Sequence, residues 1–305
     1  MTTKRNFLDL DAFEAQELRR IIECAQALKE NPKCCDTPLF GKTLAMIFEK
    51  PSTRTRISFD LAMSQLGGKV VSLSTKELQL GRGETLGDTA RVLSRYVNAI
   101  LLRTDSHESL DEFASASSVP VVNGLTDKSH PCQLLADVMT FEEHLGSIEG
   151  KVVAWLGDGN NVAATWIQAA TQFNFEIRIA CPQTLQPNPE VLLWAEKRGA
   201  KVSVTEDPLS ALEGANCVVT DTWVSLSDDQ DKSVDILKPF QVNSSKMSLA
   251  NSDAIFMHCL PAKRGQEVTE DVLDGPASVV FDEAENRMHV QKAILLWCLA
   301  PEKLG

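Results

Sequence analysis

The chain has 305 residues, 43% of them hydrophobic and 24% charged, and its 42 acidic and 30 basic side chains leave a formal net charge of −12. This composition is that of a globular protein and excludes a fibrous or disordered chain, and the length predicts two domains. The acidic balance disfavours binding to nucleic acid or to anionic lipid, whereas a small anion can still bind where basic side chains and backbone N–H groups cluster.

Two further features bear on the cellular compartment. The basic start of the chain is not followed by the apolar stretch of a secretory signal, and no apolar run approaches the ~18 residues that cross a bilayer. The eight cysteines include no C-x-x-C pair, and the neighbouring Cys34 and Cys35 would form a poor disulfide, so reduced thiols are expected. The sequence therefore predicts a cytoplasmic protein.

In the first half of the chain, short apolar runs alternate with amphipathic stretches, as expected for strands and helices in turn. The predicted elements are a helix at 13–28, a strand at 44–48, a helix at 53–66, strands at 70–71 and 99–102 with a helix at 85–96 between them, a helix at 107–115, a strand at 119–122 and a helix at 131–144. Strand–helix alternation of this kind is typical of a parallel sheet.

The alternation restarts after 146–150, the predicted domain junction. The elements predicted beyond it are strands at 152–156, 176–180, 202–204, 217–220, 254–258 and 279–281, and helices at 162–172, 188–198 and 283–298. The predicted fold class is α/β, with two doubly wound domains that each have a central parallel sheet flanked by helices. The domains are 1–148 and 149–282, and the closing helix at about 283–300 is expected to pack back on the first. Ligands of such folds lie at the carboxyl ends of strands, here expected in the crevice between the domains.

The most informative segment is Ser-Thr-Arg-Thr-Arg at 52–56, which follows the first strand and opens a helix. Three hydroxyls, two guanidiniums and the free N–H groups of a helix start suit a phosphate dianion. A capping serine followed by two solvated arginines is the alternative, and the position directly after a buried strand favours the anion site.

Other element boundaries in the chain carry isolated polar groups. Arg103 follows a buried strand, where it is either a side chain reaching solvent or a ligand group. His130 and Gln133 lie at a helix start, where imidazole can donate to a carbonyl oxygen and the amide of Gln133 can pair with another amide. Arg287 is a third isolated arginine, near the start of the final helix.

Three strand ends of the second half are also candidates. The turn Gly-Asp-Gly-Asn-Asn at 157–161 lacks the third glycine of a dinucleotide fingerprint, because Val162 occupies that position, so a nicotinamide cofactor is disfavoured. Asp221 can hold an ammonium group or cap the next turn. Cys259 can tune a proton transfer or be an inert buried thiol, and His258 beside it has no second ligand at metal-binding spacing.

Taken together, these stretches make the chain resemble the aspartate/ornithine carbamoyltransferase family. The matching segments occur in the family's order and cover nearly the whole chain: 52–56, Arg103, His-Pro-x-Gln at 130–133, Asp-x-Asn-Asn at 158–161, Asp-x-x-x-Ser at 221–225, His-Cys-Leu-Pro at 258–261 and Asn-Arg-Met at 286–288. The segments at 221–225 and 258–261 are similar to the ornithine-specific branch.

The resemblance implies transfer of the carbamoyl group from carbamoyl phosphate to the side-chain amine of ornithine, giving citrulline and phosphate, in arginine biosynthesis or degradation. It implies no metal or organic cofactor and a cytoplasmic homotrimer or a multiple of trimers. The catalytic residues that it implies are Arg54, Arg103, His130, Asp221 and Cys259.

The resemblance also implies two sets of binding residues. The carbamoyl phosphate set is Ser52, Thr53, Arg54, Thr55, Gln79, Arg103, His130, Gln133, Cys259, Leu260 and Arg287, with Gln79 lent by a neighbouring subunit. The ornithine set is Asn161, Asp221, Ser225 and Leu226, the last through its backbone.

Two positions depart from the family pattern. The loop at 225–227 reads Ser-Leu-Ser where the family usually has Ser-Met-Gly, and Gly83 stands where some members carry a lysine. Three alternatives stay open: a carbamoyltransferase for N-acylated ornithine, putrescine or aspartate, a non-catalytic anion-binding protein of the same fold, and an NAD-dependent oxidoreductase.

Overall fold

The computed structural model describes residues 4–31, 37–50, 52–74, 83–223 and 234–304. The chain divides into two compact units. The first unit comprises Met1–Ala136 together with Asn286–Gly305, and the second unit comprises Asp137–Glu285. Each unit contains one parallel sheet with helices around it, so the predicted fold class is confirmed.

Nine strands are present in the described residues. They are β1 (Thr43–Phe48), β2 (Lys69–Ser74), β3 (Ala99–Arg103), β4 (Val121–Leu125), β5 (Val152–Leu156), β6 (Glu176–Ala180), β7 (Val202–Thr205), β8 (Cys217–Val219) and β9 (Ile255–Met257).

The same residues contain eleven α-helices and four short 3-10 turns. The helices are α1 (Ala15–Glu30), α2 (Thr53–Gln65), α3 (Leu86–Leu93), α4 (His107–Ala116), α5 (Pro131–Leu145), α6 (Asn161–Phe173), α7 (Pro189–Lys197), α8 (Pro208–Leu212), α9 (Ser244–Met247), α10 (Glu270–Leu273) and α11 (Val280–Leu299). The turns are Leu10–Ala12, Gln183–Leu185, Val234–Phe240 and Pro301–Lys303. In the described residues, no helix combines the length and the low polarity needed to pass through a bilayer.

The sheet of the first unit has the strand order β2-β1-β3-β4, and all of its strands are parallel. Five of the six residues of β1 are buried, because helices cover both faces of a central parallel strand. The chain leaves β1 toward β2 on one side, while β3 and β4 extend the sheet on the other. The carboxyl ends of β1 and β3 therefore meet where the winding reverses, which is where ligands of open α/β sheets bind.

The sheet of the second unit has the order β7-β6-β5-β8-β9, again all parallel. Its winding reverses between β5 and β8. The apolar core beneath this sheet includes Leu156, Val218 and Phe256 from three strands and Leu212 and Val272 from two helices. This core fixes the strands whose carboxyl ends carry the polar turn at 157–161 and Asp221.

The last helix begins earlier than the sequence predicts. We expected a strand at 279–281, but α11 already starts at Val280, so that prediction was wrong. Just before the helix, Ser278 forms an isolated bridge to Phe256. Asp282 and Glu283 lie in the first turn of α11, where acidic side chains favour the positive end of the helix dipole. The favourable helix dipole and the hydrogen bonds of the helix outweigh the β-propensity of Val279, Val280 and Phe281.

The C-terminal part of α11 packs within the first unit. Trp297 donates its indole N–H to Glu17 of α1 at 2.8 Å and lies against the rings of Phe7 and Phe13, with ring centroids 6.2 and 5.2 Å away. Lys29 of α1 donates to the side-chain oxygen of Asn286 at 2.8 Å. These contacts fix the segment that carries Arg287 against the N-terminal helix.

Candidate active site

The first unit places basic and hydroxyl groups at the carboxyl ends of its two central strands. Phe48, the last residue of β1, pairs in register with Arg103, the last residue of β3. The Ser-Thr-Arg-Thr-Arg segment follows β1 and forms the first turn of α2. The sheet thus brings two predicted site segments together although they are about 50 residues apart.

The start of α2 keeps its backbone donors free for a ligand. Ser52 is the N-cap residue, with an extended backbone, and within the described part of the chain its side chain makes no capping hydrogen bond. The first N–H groups of a helix have no partner inside the helix, and the helix dipole favours an anion there. The structure therefore places a helix start that could hold an anion where the sequence predicts one.

Thr55 is the centre of the arginine cluster in this unit. Its Oγ1 accepts hydrogen bonds from Nη1 of Arg103 at 3.3 Å and from Nη2 of Arg287 at 2.8 Å, and the residue is 1% exposed. Because the oxygen acts as acceptor in both contacts, the hydroxyl proton remains available to a ligand. Arg56 does not join this cluster through Thr55. Its guanidinium lies over the ring of Phe48, 4.8 Å from the ring centroid.

His130 is buried at the start of α5, close to the same arginines. Burial, and then the positive charges of Arg287, Arg103 and Arg54, hold the pKa of His130 well below its usual range. The imidazole is therefore neutral at physiological pH, and it can donate one hydrogen bond without adding charge. Gln133, one turn further along α5, is fully buried.

A carboxylate holds the turn that follows Arg103. Glu49 Oε2 accepts hydrogen bonds from the hydroxyl of Thr104 at 2.6 Å and from the backbone N–H of Asp105 at 3.2 Å. Lys50 forms an ion pair with Asp105 at 2.6 Å. The residues next to β1 thus anchor the end of β3, which limits the positions that the Arg103 side chain can take.

The end of β4 has a strained backbone just before the loop that leads to His130. Leu125 has a φ of 142°, a value that L-residues rarely adopt. Its N–H donates to Oδ1 of Asn123 at 2.8 Å, and its carbonyl accepts the N–H of Thr104 at 3.2 Å. These bonds hold the strained residue between the Arg103 turn and the His130 loop, and nothing in the sequence signals it.

The glycine turn of the second unit is explained by close backbone packing. A side-chain carbon at Gly159 would lie 2.4 Å from the backbone nitrogen of Pro187 and 2.6 Å from the carbonyl oxygen of Leu185. Gly157 has a φ of +134°, which disfavours any other residue. Both glycines are therefore required by the turn itself, without reference to a nucleotide.

Asp221 accepts hydrogen bonds from three neighbours in the second unit. Its Oδ1 accepts the backbone N–H of Thr222 at 2.7 Å and the thiol of Cys259 at 3.2 Å. Its Oδ2 accepts an N–H of the Asn160 side chain at 2.9 Å. The donors come from the ends of β8, β9 and β5 respectively, so the carboxylate joins three strand ends of one sheet.

Cys259 is a neutral thiol in this environment. Burial raises its pKa well above the ordinary value, and the charges of Asp221 and Glu283 raise it further. The thiol is therefore a hydrogen-bond donor to Asp221 and not an anionic base or nucleophile. Among the described residues, Asp221, His258 and Cys259 each offer one potential metal-ligand atom within 4.8 Å of the others.

The backbone beside Cys259 is held by a buried histidine and two glutamates. The N–H of Leu260 donates to Nδ1 of His258 at 2.8 Å, which leaves the ring proton on Nε2, 3.5 Å from Oε1 of Glu267. The N–H of His258 donates to Glu283 at 2.9 Å. Leu260 has a φ of +56°, and the bond from its N–H fixes that conformation. From the sequence, His258 has no second metal ligand at suitable spacing, and no pattern marks Glu267 or Glu283 as its partners.

The predicted site residues fall into two groups that the structure assembles separately. In the first unit, Thr55, Arg103 and Arg287 are in direct contact, and Arg54 lies close enough to His130 to affect its pKa. In the second unit, Asp221 and Cys259 are in contact, and Asn161 is the first residue of α6. Gln79, Ser225 and Leu226 lie outside the described residues.

Comparisons with known families match both units. The model for the aspartate/ornithine carbamoyltransferase carbamoyl-P binding domain matches residues 5–143, and the model for the Asp/Orn binding domain of the same family matches residues 149–298.

Individual relatives are similar along almost their whole length. An ornithine carbamoyltransferase of Nitrobacter winogradskyi is 57% identical over 97% of this chain and 97% of its own. The solved structure of ornithine carbamoyltransferase from Pyrococcus furiosus superposes with a TM-score of 0.93 at 46% identity, with 97% of each chain covered. That of anabolic ornithine carbamoyltransferase from Campylobacter jejuni gives 0.91 at 42% identity, covering 96% of this chain and 98% of its own.

Proposed function

Because the chain belongs to the aspartate/ornithine carbamoyltransferase family, we propose that it transfers the carbamoyl group of carbamoyl phosphate to the side-chain amine of L-ornithine, which yields L-citrulline and phosphate. The first unit binds carbamoyl phosphate and the second unit binds ornithine. The observation that carries this proposal is the cluster of Arg54, Arg103 and Arg287 around neutral His130, because it combines charge for a phosphate with an uncharged donor for a carbonyl.

The phosphate end of the substrate is bound by charge and by backbone donors. The three arginines offset the charge of the dianion, and the hydroxyls of Ser52 and Thr53 and the N–H groups of the first turn of α2 supply further donors. The same groups stabilise the phosphate as it leaves, because negative charge concentrates on it when the bond to the carbonyl carbon breaks. Gln133 belongs to this set.

The carbonyl end receives two neutral donors, His130 and Thr55, and one charged donor, Arg103. Amine attack converts the carbonyl oxygen into an oxyanion, and His130, Arg103 and the Thr55 hydroxyl donate to it. Because burial and the arginines hold its pKa well below the usual range, His130 is neutral at neutral pH and donates a hydrogen bond without adding charge. No metal or organic cofactor is required for this chemistry.

Ornithine is held through its amino acid end by Asn161, Asp221, Ser225 and Leu226. The Asp221 carboxylate attracts the α-ammonium group, and neutral Cys259 helps to orient that carboxylate. The side-chain amine has a pKa near ~10 in water and must lose a proton before it attacks. Desolvation favours the neutral amine. In the overall reaction a bond forms between this nitrogen and the carbonyl carbon, and the carbon–oxygen bond to phosphate breaks. The nitrogen loses two protons, the first to solvent before it attacks and the second to the departing phosphate.

The proposal is tested with a colorimetric assay for carbamoylated products, run with ornithine, N-acetylornithine, putrescine and aspartate. We expect citrulline from ornithine and at least about a hundred-fold lower kcat/KM for the other three amines, because an acylated amine lacks the ammonium group for Asp221 and aspartate brings a second carboxylate. A preference for another amine, or no product from any, would refute the assignment to ornithine.

We also propose a cytoplasmic homotrimer that acts in arginine biosynthesis. Six large apolar side chains of the first unit are exposed, as expected of a surface that other copies cover: Phe40, Ile57, Leu61, Val71, Val92 and Tyr96. In the trimer, Gln79 of a neighbouring copy completes the carbamoyl phosphate site. The likeness to the anabolic enzyme of Campylobacter jejuni supports the biosynthetic direction. Light scattering after size exclusion should give three times the 33.5 kDa of one chain, or a multiple of that.

A further inference from the structure

Both the oxygen and the nitrogen of the Asn160 side-chain amide form hydrogen bonds. Its Oδ1 accepts the backbone N–H groups of Val162 at 2.9 Å and Ala163 at 3.1 Å and thereby caps α6. Its Nδ2 donates to Oδ2 of Asp221 at 2.9 Å. An inverted amide would direct N–H groups at N–H groups and an oxygen at a carboxylate, so the orientation of this amide is determined by its partners.

The residue type at this position is restricted by the neighbouring acid. Serine, threonine and aspartate cap helices about as well as asparagine does. None of these three residues would interact with the Asp221 carboxylate as favourably as asparagine does. Aspartate would bring a second carboxylate to hydrogen-bonding distance, and the hydroxyl of serine or threonine is too short to cap the helix and reach the acid at once. Capping alone therefore does not account for asparagine, whereas capping combined with donation to Asp221 does.

We propose that Asn160 is a positioning residue for Asp221. It ties Oδ2 of the carboxylate to the rigid start of α6, and it thereby directs the acid toward the ammonium group of the bound amino acid. Asn160 acts through Asp221 and needs no contact with the substrate. The inference rests on the proposed function, because it assigns the amino acid to the Asp221 side of the second unit.

The test uses two variants of Asn160 that keep the helix cap. Asn160→Ser removes the donor, and Asn160→Asp replaces it with a like charge. We expect KM for ornithine to rise about ten-fold in Asn160→Ser and further in Asn160→Asp, while KM for carbamoyl phosphate stays within about two-fold. Asn188→Ser is the matched control, because Asn188 caps α7 of the same unit through the N–H of Glu190 at 2.9 Å and lies outside the site.

A merely structural role would lower the melting temperature and leave the ratio of the two KM values unchanged, and that result would overturn the inference. A second measurement places Asn160→Ser in an Asp221→Asn background. If Asn160 acts through Asp221, its substitution adds less than about two-fold to the ornithine KM there. A further ten-fold increase in the ornithine KM in that background would contradict the positioning role.

The two proposals fail in different ways. If the wild type carbamoylates another amine of the panel, the assignment to ornithine falls, and the same variant comparison is made with that amine. If the wild type uses ornithine and both Asn160 variants keep its KM, only the inference about Asn160 falls.

Discussion

Arg287 donates a hydrogen bond from Nη2 to Oγ1 of Thr55 at 2.8 Å, although the two residues are 232 positions apart in the chain. The contact joins the start of α2 to α11 inside the first unit. The proposed anion site is therefore built from distant parts of the chain, and Arg103 and Arg287 both donate hydrogen bonds to the Thr55 oxygen.

Removing the Thr55 hydroxyl should therefore impair the site without unfolding the protein. We expect Thr55→Val, which keeps the branched shape, to lower kcat/KM for carbamoyl phosphate about 10²–10³-fold, since it removes a donor to the oxyanion and the acceptor that orients two arginines. Steady-state kinetics with carbamoyl phosphate as the varied substrate measures the effect. Thr55→Ser is the control and should retain activity within about ten-fold, and equal losses in both variants would argue against a role of the hydroxyl.

The neutral state of His130 has a consequence for stability against pH. Burial and the nearby arginines lower its pKa in the folded protein below the ordinary value of about 6.5. Between that value and the lower folded-state pKa, the unfolded chain therefore binds more protons. The free energy of unfolding should then decrease as the pH falls below about 6.5, with a slope of about 1.4 kcal/mol per pH unit from this residue. Urea denaturation from pH 5 to pH 7.5 measures that slope.

The variant His130→Gln should lose this part of the pH dependence while keeping a side-chain N–H donor. An identical slope in the variant and the wild type would show that His130 titrates normally. Activity of the wild type should lack a step attributable to His130 between pH 6.5 and pH 8, since the imidazole stays neutral over that range.

Cys259 should react slowly as long as the protein is folded. Its pKa is raised well above the ordinary value by burial and by Asp221, so little thiolate exists at pH 8. We expect alkylation by iodoacetamide at pH 8 to be at least about ten-fold slower in the native protein than in urea, as followed by peptide mass spectrometry. Cys259→Ser keeps a donor for Asp221 and should retain more activity than Cys259→Ala. Rapid alkylation of the native protein would contradict a neutral thiol.

Gly159 should tolerate no side chain. An added carbon would lie 2.4 and 2.6 Å from backbone atoms of Pro187 and Leu185, which cannot rotate away. We expect Gly159→Ala to lower the free energy of unfolding by about 3 kcal/mol. Gly199→Ala is the matched control, because Gly199 has a φ of +70° but nothing within 4 Å of an added carbon, so only the backbone strain of about 1–2 kcal/mol applies. Equal losses of unfolding free energy in the two variants, measured by urea denaturation, would show that the turn at 157–161 relaxes around the added carbon.

The alternation of strands and helices was predictable because apolar periodicity is local. The strands at 152–156 and 176–180 agree with β5 and β6 to the residue. The family resemblance, which depends on motifs such as 52–56 and 258–261, is confirmed by the family models over both units. The error at 279–281 shows the limit, since a short apolar run fits a strand or a helix start equally well.

The contacts that complete each site were not predictable from one sequence. The bond from Asn160 to Asp221 depends on β5 and β8 being neighbours in the sheet. The pair of His258 and Glu267 involves a glutamate that no motif marks. Such pairings follow from strand order and from packing, which a pattern of residue types along the chain does not contain.

The discontinuity of the first unit has a consequence for synthesis. Its final segment, Asn286–Gly305, is translated after all of residues 137–285, which takes about 7–30 s at typical elongation rates of 5–20 residues per second. Until then the nascent chain lacks Arg287, and Thr55 and Arg103 emerge without their third partner. Binding of carbamoyl phosphate at the proposed site is therefore expected only after the segment with Arg287 has been made, and a chain truncated before that segment should not sequester the metabolite.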